Sequence, residues 1–212
     1  MEIAAICVGA ARTHDWRGDK DSTAIFKTPV EAATVRALGL AGDEQADLAV
    51  HGGPDKAVYG YSADHYPWWR ERLPGVALPY GAFGENLTIS GFDEADAGLG
   101  DVYRAGGAVL AAVQPRLPCA KLALRFDDPG MVKRFAQSLR LGVYFRVVEP
   151  GPVRRLDRFE KLSEHPVRLP ILDLARMYFD PALTPEKARP ALTHPALNDN
   201  WREMLGKRLQ KA

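Results

Sequence analysis

The sequence predicts a mainly β fold of the α+β class: a closed β-barrel interrupted by helices and followed by a small three-helix C-terminal domain. Short apolar segments punctuated by Gly and Pro come first, and helix-period segments come last. A two-residue Gly106-Gly107 link between apolar runs adds a hairpin signal. Many short strands with Gly and Pro turns favour closure into a barrel, which leaves no sheet edge exposed.

In chain order, Ile3 to Val8 and Thr23 to Phe26 read as early strands, and Ala63 to Arg72 as a helix. Phe83-Gly84-Glu85-Asn86-Leu87 leads into a further strand. Asp101 to Ala105 and Ala108 to Val113 flank the Gly-Gly link, and the second of these strands delivers the chain to Cys119. A helical stretch from Cys119 through Leu139 breaks at Asp127-Asp128-Pro129-Gly130. Val143 to Val148 is a late strand stopped by Glu149-Pro150-Gly151-Pro152, and Val153 to Phe159 adds one more.

After Ser163-Glu164-His165-Pro166 the period changes. Ile171, Leu174, Ala175 and Tyr178 share one helical face, and Pro181 ends that helix. Thr184-Pro185 supplies an N-cap with Pro at the first helical position, and Trp201, Leu205 and Leu209 form a final helical stripe. Helices this short bury too little surface alone, so they are expected to dock on the barrel or on a partner. The boundary divides the chain into residues 1–162 and 163–212.

Composition narrows the class of function. The 212 residues carry 46% hydrophobic and 26% charged side chains, ordinary values for a globular chain. A net charge of +1 with dispersed Lys and Arg offers no footprint for nucleic acid or an anionic membrane. Two cysteines, Cys7 and Cys119, allow one disulfide but no framework, which favours a reducing compartment. The N-terminus lacks a basic region and reaches Arg12-Thr13-His14-Asp15 too early for a signal peptide. No apolar run approaches the roughly 20 residues that span a bilayer. The expected setting is soluble and cytoplasmic.

Several segments carry chemistry. Cys119 lies in Gln114-Pro115-Arg116-Leu117-Pro118-Cys119-Ala120-Lys121, a stiff turn with a base on either side. Neighbouring cations favour a thiolate, the form that attacks electrophiles or binds soft metals; a buried structural thiol is the plainer alternative. His51-Gly52-Gly53-Pro54-Asp55-Lys56 combines reactive side chains with glycines that admit a ligand to the backbone, and it reads equally as a connecting turn. Lys27-Thr28 pairs a point charge with a hydroxyl donor, suited to a phosphate. Asn86 offers donors and an acceptor to a heterocycle edge, or closes its own turn. Absent are a GxxxxGK[ST] loop, an HExxH pair, a GxSxG elbow and a dinucleotide fingerprint.

Taken in order, Phe26-Lys27-Thr28-Pro29, Gly42-Asp43-Glu44-Gln45-Ala46-Asp47, Val50-His51-Gly52-Gly53-Pro54-Asp55-Lys56, Phe83-Gly84-Glu85-Asn86-Leu87 and Gln114-Pro115-Arg116-Leu117-Pro118-Cys119-Ala120-Lys121-Leu122 resemble the YiiM-like branch of the MOSC family, the molybdenum cofactor sulfurase C-terminal domains. The resemblance covers nearly the whole chain, including the helical tail. It implies a MOSC-type β-barrel that binds molybdopterin, with Cys119 as molybdenum ligand and Arg116 and Lys121 keeping it ionised. Lys27 and Thr28 match the block expected to hold the cofactor phosphate, and Asn86, Gly52 and Gly53 match further pocket blocks.

The resemblance also implies reduction of N-hydroxylated compounds, such as hydroxylaminopurines or amidoxime-like substrates, to amines or amidines. His51 is then the candidate proton donor, because imidazole titrates near neutrality. With no flavin, haem or iron–sulfur motif in the sequence, electrons are expected from a separate reductase protein, for which the tail is either a docking surface or a cap on the barrel. Two other readings stay open: a cofactor or sulfur carrier bearing a Cys119 persulfide, and a cysteine hydrolase with His51 as base.

Overall fold

The computed structural model describes residues 1–46 and 52–210. Its strands are β1 (Glu2–Val8), β2 (Arg12–Trp16), β3 (Asp19–Thr23), β4 (Thr28–Val30), β5 (Ala32–Arg36), β6 (Gly39–Leu40), β7 (Val58–Ser62), β8 (Leu87–Ser90), β9 (Val102–Ala105), β10 (Ala108–Pro115), β11 (Val143–Glu149), β12 (Gly151–Arg154) and β13 (Phe159–Ser163). The helices are α1 (Tyr66–Arg72), α2 (Ala120–Phe126), α3 (Met131–Ser138), α4 (Ile171–Phe179), α5 (Pro185–Leu192) and α6 (Asp199–Leu209).

The main sheet has eight strands in the order β13-β9-β10-β11-β7-β8-β1-β4. All neighbours are antiparallel except β7 and β8. The mainly β architecture is as expected, but a closed barrel is not found among the described residues: the strand order ends at β13 and β4, and only an isolated antiparallel bridge pairs Glu2 of β1 with Arg158, just before β13. The β13 end still approaches the start of β1. Ile3 N donates to Asp157 O at 2.9 Å, Leu156 N to Ile3 O at 2.8 Å and Phe159 N to Met1 O at 3.0 Å. This seam uses the half of β1 that β4 leaves uncovered, since β4 pairs only with Ile6, Cys7 and Val8. A regular ladder fails there because the chain turns between β12 and β13 through Leu156, a non-glycine residue at φ 70°.

The Gly-Gly hairpin forms as its sequence requires, with Ala108 opposite Ala105. The segment predicted as a strand over Thr23 to Phe26 differs: β3 stops at Thr23, and the next residues run unpaired toward β4. Val153 to Phe159 likewise divides between β12 and β13, split by the Leu156 turn. The long helix breaks where Asp127 adopts φ 48°, giving α2 and α3.

Two apolar clusters hold these parts together. One joins the sheet to the tail, uniting Ile3, Leu110 and Phe145 with Ile171, Leu174, Trp201 and Leu205. The other is largely aromatic and packs α1 and α3 on the sheet through Tyr61, Tyr66, Trp69, Phe83 and Phe135. Burial of an apolar side chain stabilises by roughly 1.5–3 kcal/mol. The apolar stripe of the tail therefore belongs to the same core as the strands.

Candidate active site

Strand register gathers the predicted residues at one end of the sheet. Val8 opposes Thr28, Ile6 opposes Leu87, Gly60 opposes Leu87, and Pro115 opposes Val143. The end of β1, the starts of β4, β7, β8 and β11, and the end of β10 consequently share one rim. Lys27 precedes β4, Asn86 precedes β8, Arg116 follows β10, and Tyr59 and Tyr144 are the second residues of β7 and β11. A pocket of about 90 Å³ at this rim is lined by Lys27, Asp43, Lys56, Tyr59, Asn86, Arg116, Cys119 and Tyr144, among others.

Asp43 organises the pocket floor. One carboxylate oxygen accepts from Gly9 N at 2.8 Å and from Lys27 Nζ, while the other accepts from Asn86 Nδ2 at 2.8 Å. Asn86 Oδ1 in turn accepts from Tyr59 N at 3.0 Å. Lys27 and Asp43 are both nearly buried, with side-chain exposures of 7% and 6%. Burial lowers the Lys27 pKa despite the opposing attraction of Asp43. Asn86 thus ties β7 and β1 together through Tyr59 N and Cys7 O and braces the acid that holds the lysine, rather than closing its own turn.

Arg116 is the second buried cation. Its Nη1 donates to Phe83 O, and its guanidinium lies 4.8 Å from the Tyr59 ring centroid. Burial works against this charge, but Tyr59, Tyr144 and Cys119 beside it outweigh that cost and raise its pKa. The carbonyl it grips is fixed by Glu85, which accepts from Gly81 N at 2.8 Å, Phe83 N at 3.1 Å and Thr88 Oγ1 at 2.9 Å. Between them Gly84 takes φ +80°, and a Cβ there would meet Ile25 Cγ1 at 2.8 Å and Arg116 Nη1 at 3.4 Å. Only glycine suits that turn.

Cys119 is partly exposed and outside any disulfide, in an extended conformation at φ −136° immediately before α2. The start of α2 directs the thiol to the pocket mouth, where Arg116 is its charge partner. Lys121 is placed differently from expectation: its amine is bound by Asp21 and donates to Ser22 O at 3.1 Å, tying α2 to the β2–β3 hairpin. It lines the pocket from within that ion pair.

The other predicted residues divide. Thr28 is exposed on β4, its Oγ1 3.5 Å from Val8 O, and does not line the pocket. Gly52 and Gly53 line a second, wider cleft of about 650 Å³ that meets the first at Lys56, Cys119 and Tyr144. His51 lies outside the described residues. Sequence reasoning missed the roles of Asp43, Tyr59 and Tyr144. Asp43 had one usable signal, an acid directly after the turn residue Gly42, which takes φ +86°. The tyrosines had none beyond their strands. Among the described residues, no group of three or more His, Cys, Asp or Glu side chains is placed to hold a metal, so Cys119 is a solitary protein thiol donor at this rim.

Comparison with known proteins bears on this arrangement. The MOSC domain model matches residues 47–160, and the YiiM-like 3-alpha helix domain model matches residues 169–212. Bacillus subtilis YflK is 38% identical over 94% of this chain and 90% of that protein. Escherichia coli YiiM is 41% identical over 55% of this chain and 53% of its own length. A protein named Reductase from Gibberella moniliformis is 35% identical over 76% of this chain, which spans 29% of that protein. The crystal structure of YiiM from Geobacillus stearothermophilus superposes with a TM-score of 0.78 at 32% identity, covering 98% of each chain. The chain belongs to the MOSC family and carries the YiiM-like helical tail. No helix among the described residues is long and apolar enough to cross a membrane.

Proposed function

We propose that the protein is a molybdenum-cofactor-dependent reductase of N-hydroxylated compounds, taking electrons from a separate reductase protein. The observation that carries this reading is the convergence of Lys27, Arg116, Asn86 and Cys119 on one rim. That donor set fits the cofactor: buried cations suit its phosphate, and a thiol suits molybdenum, a metal that accepts soft ligands. Family membership and the fungal relative named Reductase support the same reading. When bound, the cofactor supplies two-electron redox chemistry at the N–O bond.

The chain's own residues do the rest. Lys27, held by Asp43, and Arg116, held by Phe83 O, present fixed positive charge to an anionic group without having to reorganise. Arg116 also favours the anionic Cys119 sulfur that would hold the metal. The overall reaction, R–NHOH + 2e⁻ + 2H⁺ → R–NH₂ + H₂O, needs two protons, and His51 is the proposed donor of one.

The test is turnover of a hydroxylaminopurine by purified protein with a chemical reductant, beside its molybdenum content. Stoichiometric molybdenum with amine formation supports the reductase. Molybdenum without turnover would leave the carrier reading in its place. His51→Ala is expected to lower turnover and shift the pH profile while retaining the metal; an unchanged profile would remove its proton role.

A further inference from the structure

His194 lies in the connection between α5 and α6, is fully buried, and lines neither cavity of the site. Both of its ring nitrogens are committed. Nε2 lies 2.8 Å from Val167 O, and Nδ1 accepts from Ala196 N at 3.1 Å. A carbonyl can only accept and an amide can only donate, so these partners fix the neutral ring with its proton on Nε2. That ring pins the α5–α6 connection to the segment that follows β13. A second proton would sit on Nδ1, facing the Ala196 N–H.

The groups that face the ring offer it no compensating charge. From α6, Arg202 donates to Leu192 O and, at 2.8 Å, to His194 O, and it pairs with no carboxylate among the described residues. From the segment after β13, the His165 ring centroid lies 4.7 Å away. Behind it, directly before β9, Asp101 is taken: Oδ1 accepts from His165 N at 2.9 Å, and Oδ2 lies 3.0 Å from Lys161 Nζ and 3.2 Å from Arg168 Nη1. Glu164 binds the same lysine at 3.0 Å. The packing is tight, since a Cβ on Gly100 would meet the His165 ring at 2.9 Å and Ala196 Cβ at 3.1 Å. Burial, joined by repulsion from His165 and Arg202, outweighs the Val167 bond and lowers the imidazole pKa from its usual 6.5.

We propose that His194 is a pH-operated latch: its protonation frees the α5–α6 connection from the segment after β13 and slackens the tether between Asn198 and the loop that carries Gly53 and Lys56. Asn198 ends that connection, and its Nδ2 donates to Asp55 Oδ2 at 2.9 Å, so release at His194 reaches a wall of the cleft beside Cys119. The helices themselves stay docked, because Trp201 and Leu205 belong to the shared core. The latch operates whichever reaction the site performs. The open form takes up a proton that the closed form excludes. Opening is therefore suppressed above pH 6.5 and rises below it, by about tenfold per pH unit, down to the depressed closed-state value.

Hydrogen exchange by mass spectrometry, corrected for intrinsic chemical exchange, reads this opening on peptides covering residues 192–199 and 52–57. Between about pH 6.5 and 5.5 the protection of both is expected to fall roughly three- to tenfold, while β10 peptides keep theirs. Loss of the Asp101 contacts belongs below 3.8, outside that window. His194→Asn keeps an acceptor for the amide two residues on, as in an Asx turn, and has no group that titrates here, so its protection should not change with pH. Unchanged protection of either peptide in wild type would overturn the latch, as would an equal fall in the Asn variant. A fall shared by β10 would mean global unfolding and would overturn it too. If His194→Asn fails to fold at pH 7, the His194 ring-proton resonance of wild type decides: its titration midpoint must coincide with the loss of protection, and a separate midpoint refutes the proposal.

Discussion

Cys7 and Cys119 have opposite surroundings, and the contrast is testable. Cys7 is fully buried in β1, and burial pushes its thiol from 9.0 up to about 12; Cys119 is partly exposed beside a buried guanidinium. Iodoacetamide at pH 8 should therefore add one group to the native protein, at Cys119, detected by mass; a second native adduct would contradict this. The Cys7 shift also sets a pH dependence. A raised folded pKa means the folded chain keeps a proton that the unfolded chain has released, so stability falls as pH rises from 9.0 toward about 12. At pH 10 the loss from this group is roughly 1.4 kcal/mol. Buried tyrosines act in the same direction at higher pH, so urea denaturation of wild type against Cys7→Ala isolates the cysteine.

The Lys27–Asp43 pair yields a second residue-scale prediction. Asp43→Asn leaves a buried lysine without its countercharge, and such broken pairs cost about 3–5 kcal/mol. Urea denaturation should show a loss of that size, and a change under about 1 kcal/mol would mean that Lys27 finds water. The sequence revealed Lys27, Asn86, Arg116 and Cys119 because each sits in a dense block of unusual composition. Asp43 was harder to assign because its importance lies in contacts with Gly9, Lys27 and Asn86, all remote in the chain.

Elements that announce themselves locally were readable, and those that depend on distant pairing were not. The β9–β10 hairpin follows from Gly106-Gly107, and α5 from Thr184-Pro185, whose hydroxyl accepts from Lys187 N. The β2–β3 hairpin was missed because its strands are polar, Arg12-Thr13-His14-Asp15-Trp16 in the first, and turn through Arg17 at φ 58° before Gly18. The cap of α6 offers an element-scale test. Asn198→Ala removes both the bond to Trp201 N and the bond to Asp55. The cap alone is worth about 1 kcal/mol. Thermal unfolding should register at least that loss. An unchanged unfolding midpoint would contradict the role of Asn198 as cap and tether.

Across the whole molecule, the tail is an integral part of the core. Leu174, Trp201 and Leu205 share one cluster with sheet residues, and Asp101 beneath β10 receives bonds from His165 N at 2.9 Å and Gly98 N at 2.8 Å. Burial alone would raise the Asp101 pKa; these amides and Lys161 outweigh it and hold the carboxyl below its usual range. Its contribution is present above the unfolded value of 3.8 and is lost as pH falls through the depressed folded value. Truncation after His165 should therefore unfold the protein, read as lost near-UV circular dichroism, rather than remove partner coupling alone. A folded truncate would contradict the shared core. The segregation of strands before helices made the architecture legible, whereas barrel closure was not, because it turns on the irregular seam between Met1–Ile3 and Leu156–Phe159.

The central claim is that Cys119 holds molybdenum at a cationic rim. Its most direct test is metal and pterin analysis of wild-type and Cys119→Ala protein produced where the cofactor is made. The account predicts stoichiometric molybdenum in the wild type and its loss in the variant, whose fold is retained. Equal molybdenum in both would contradict it.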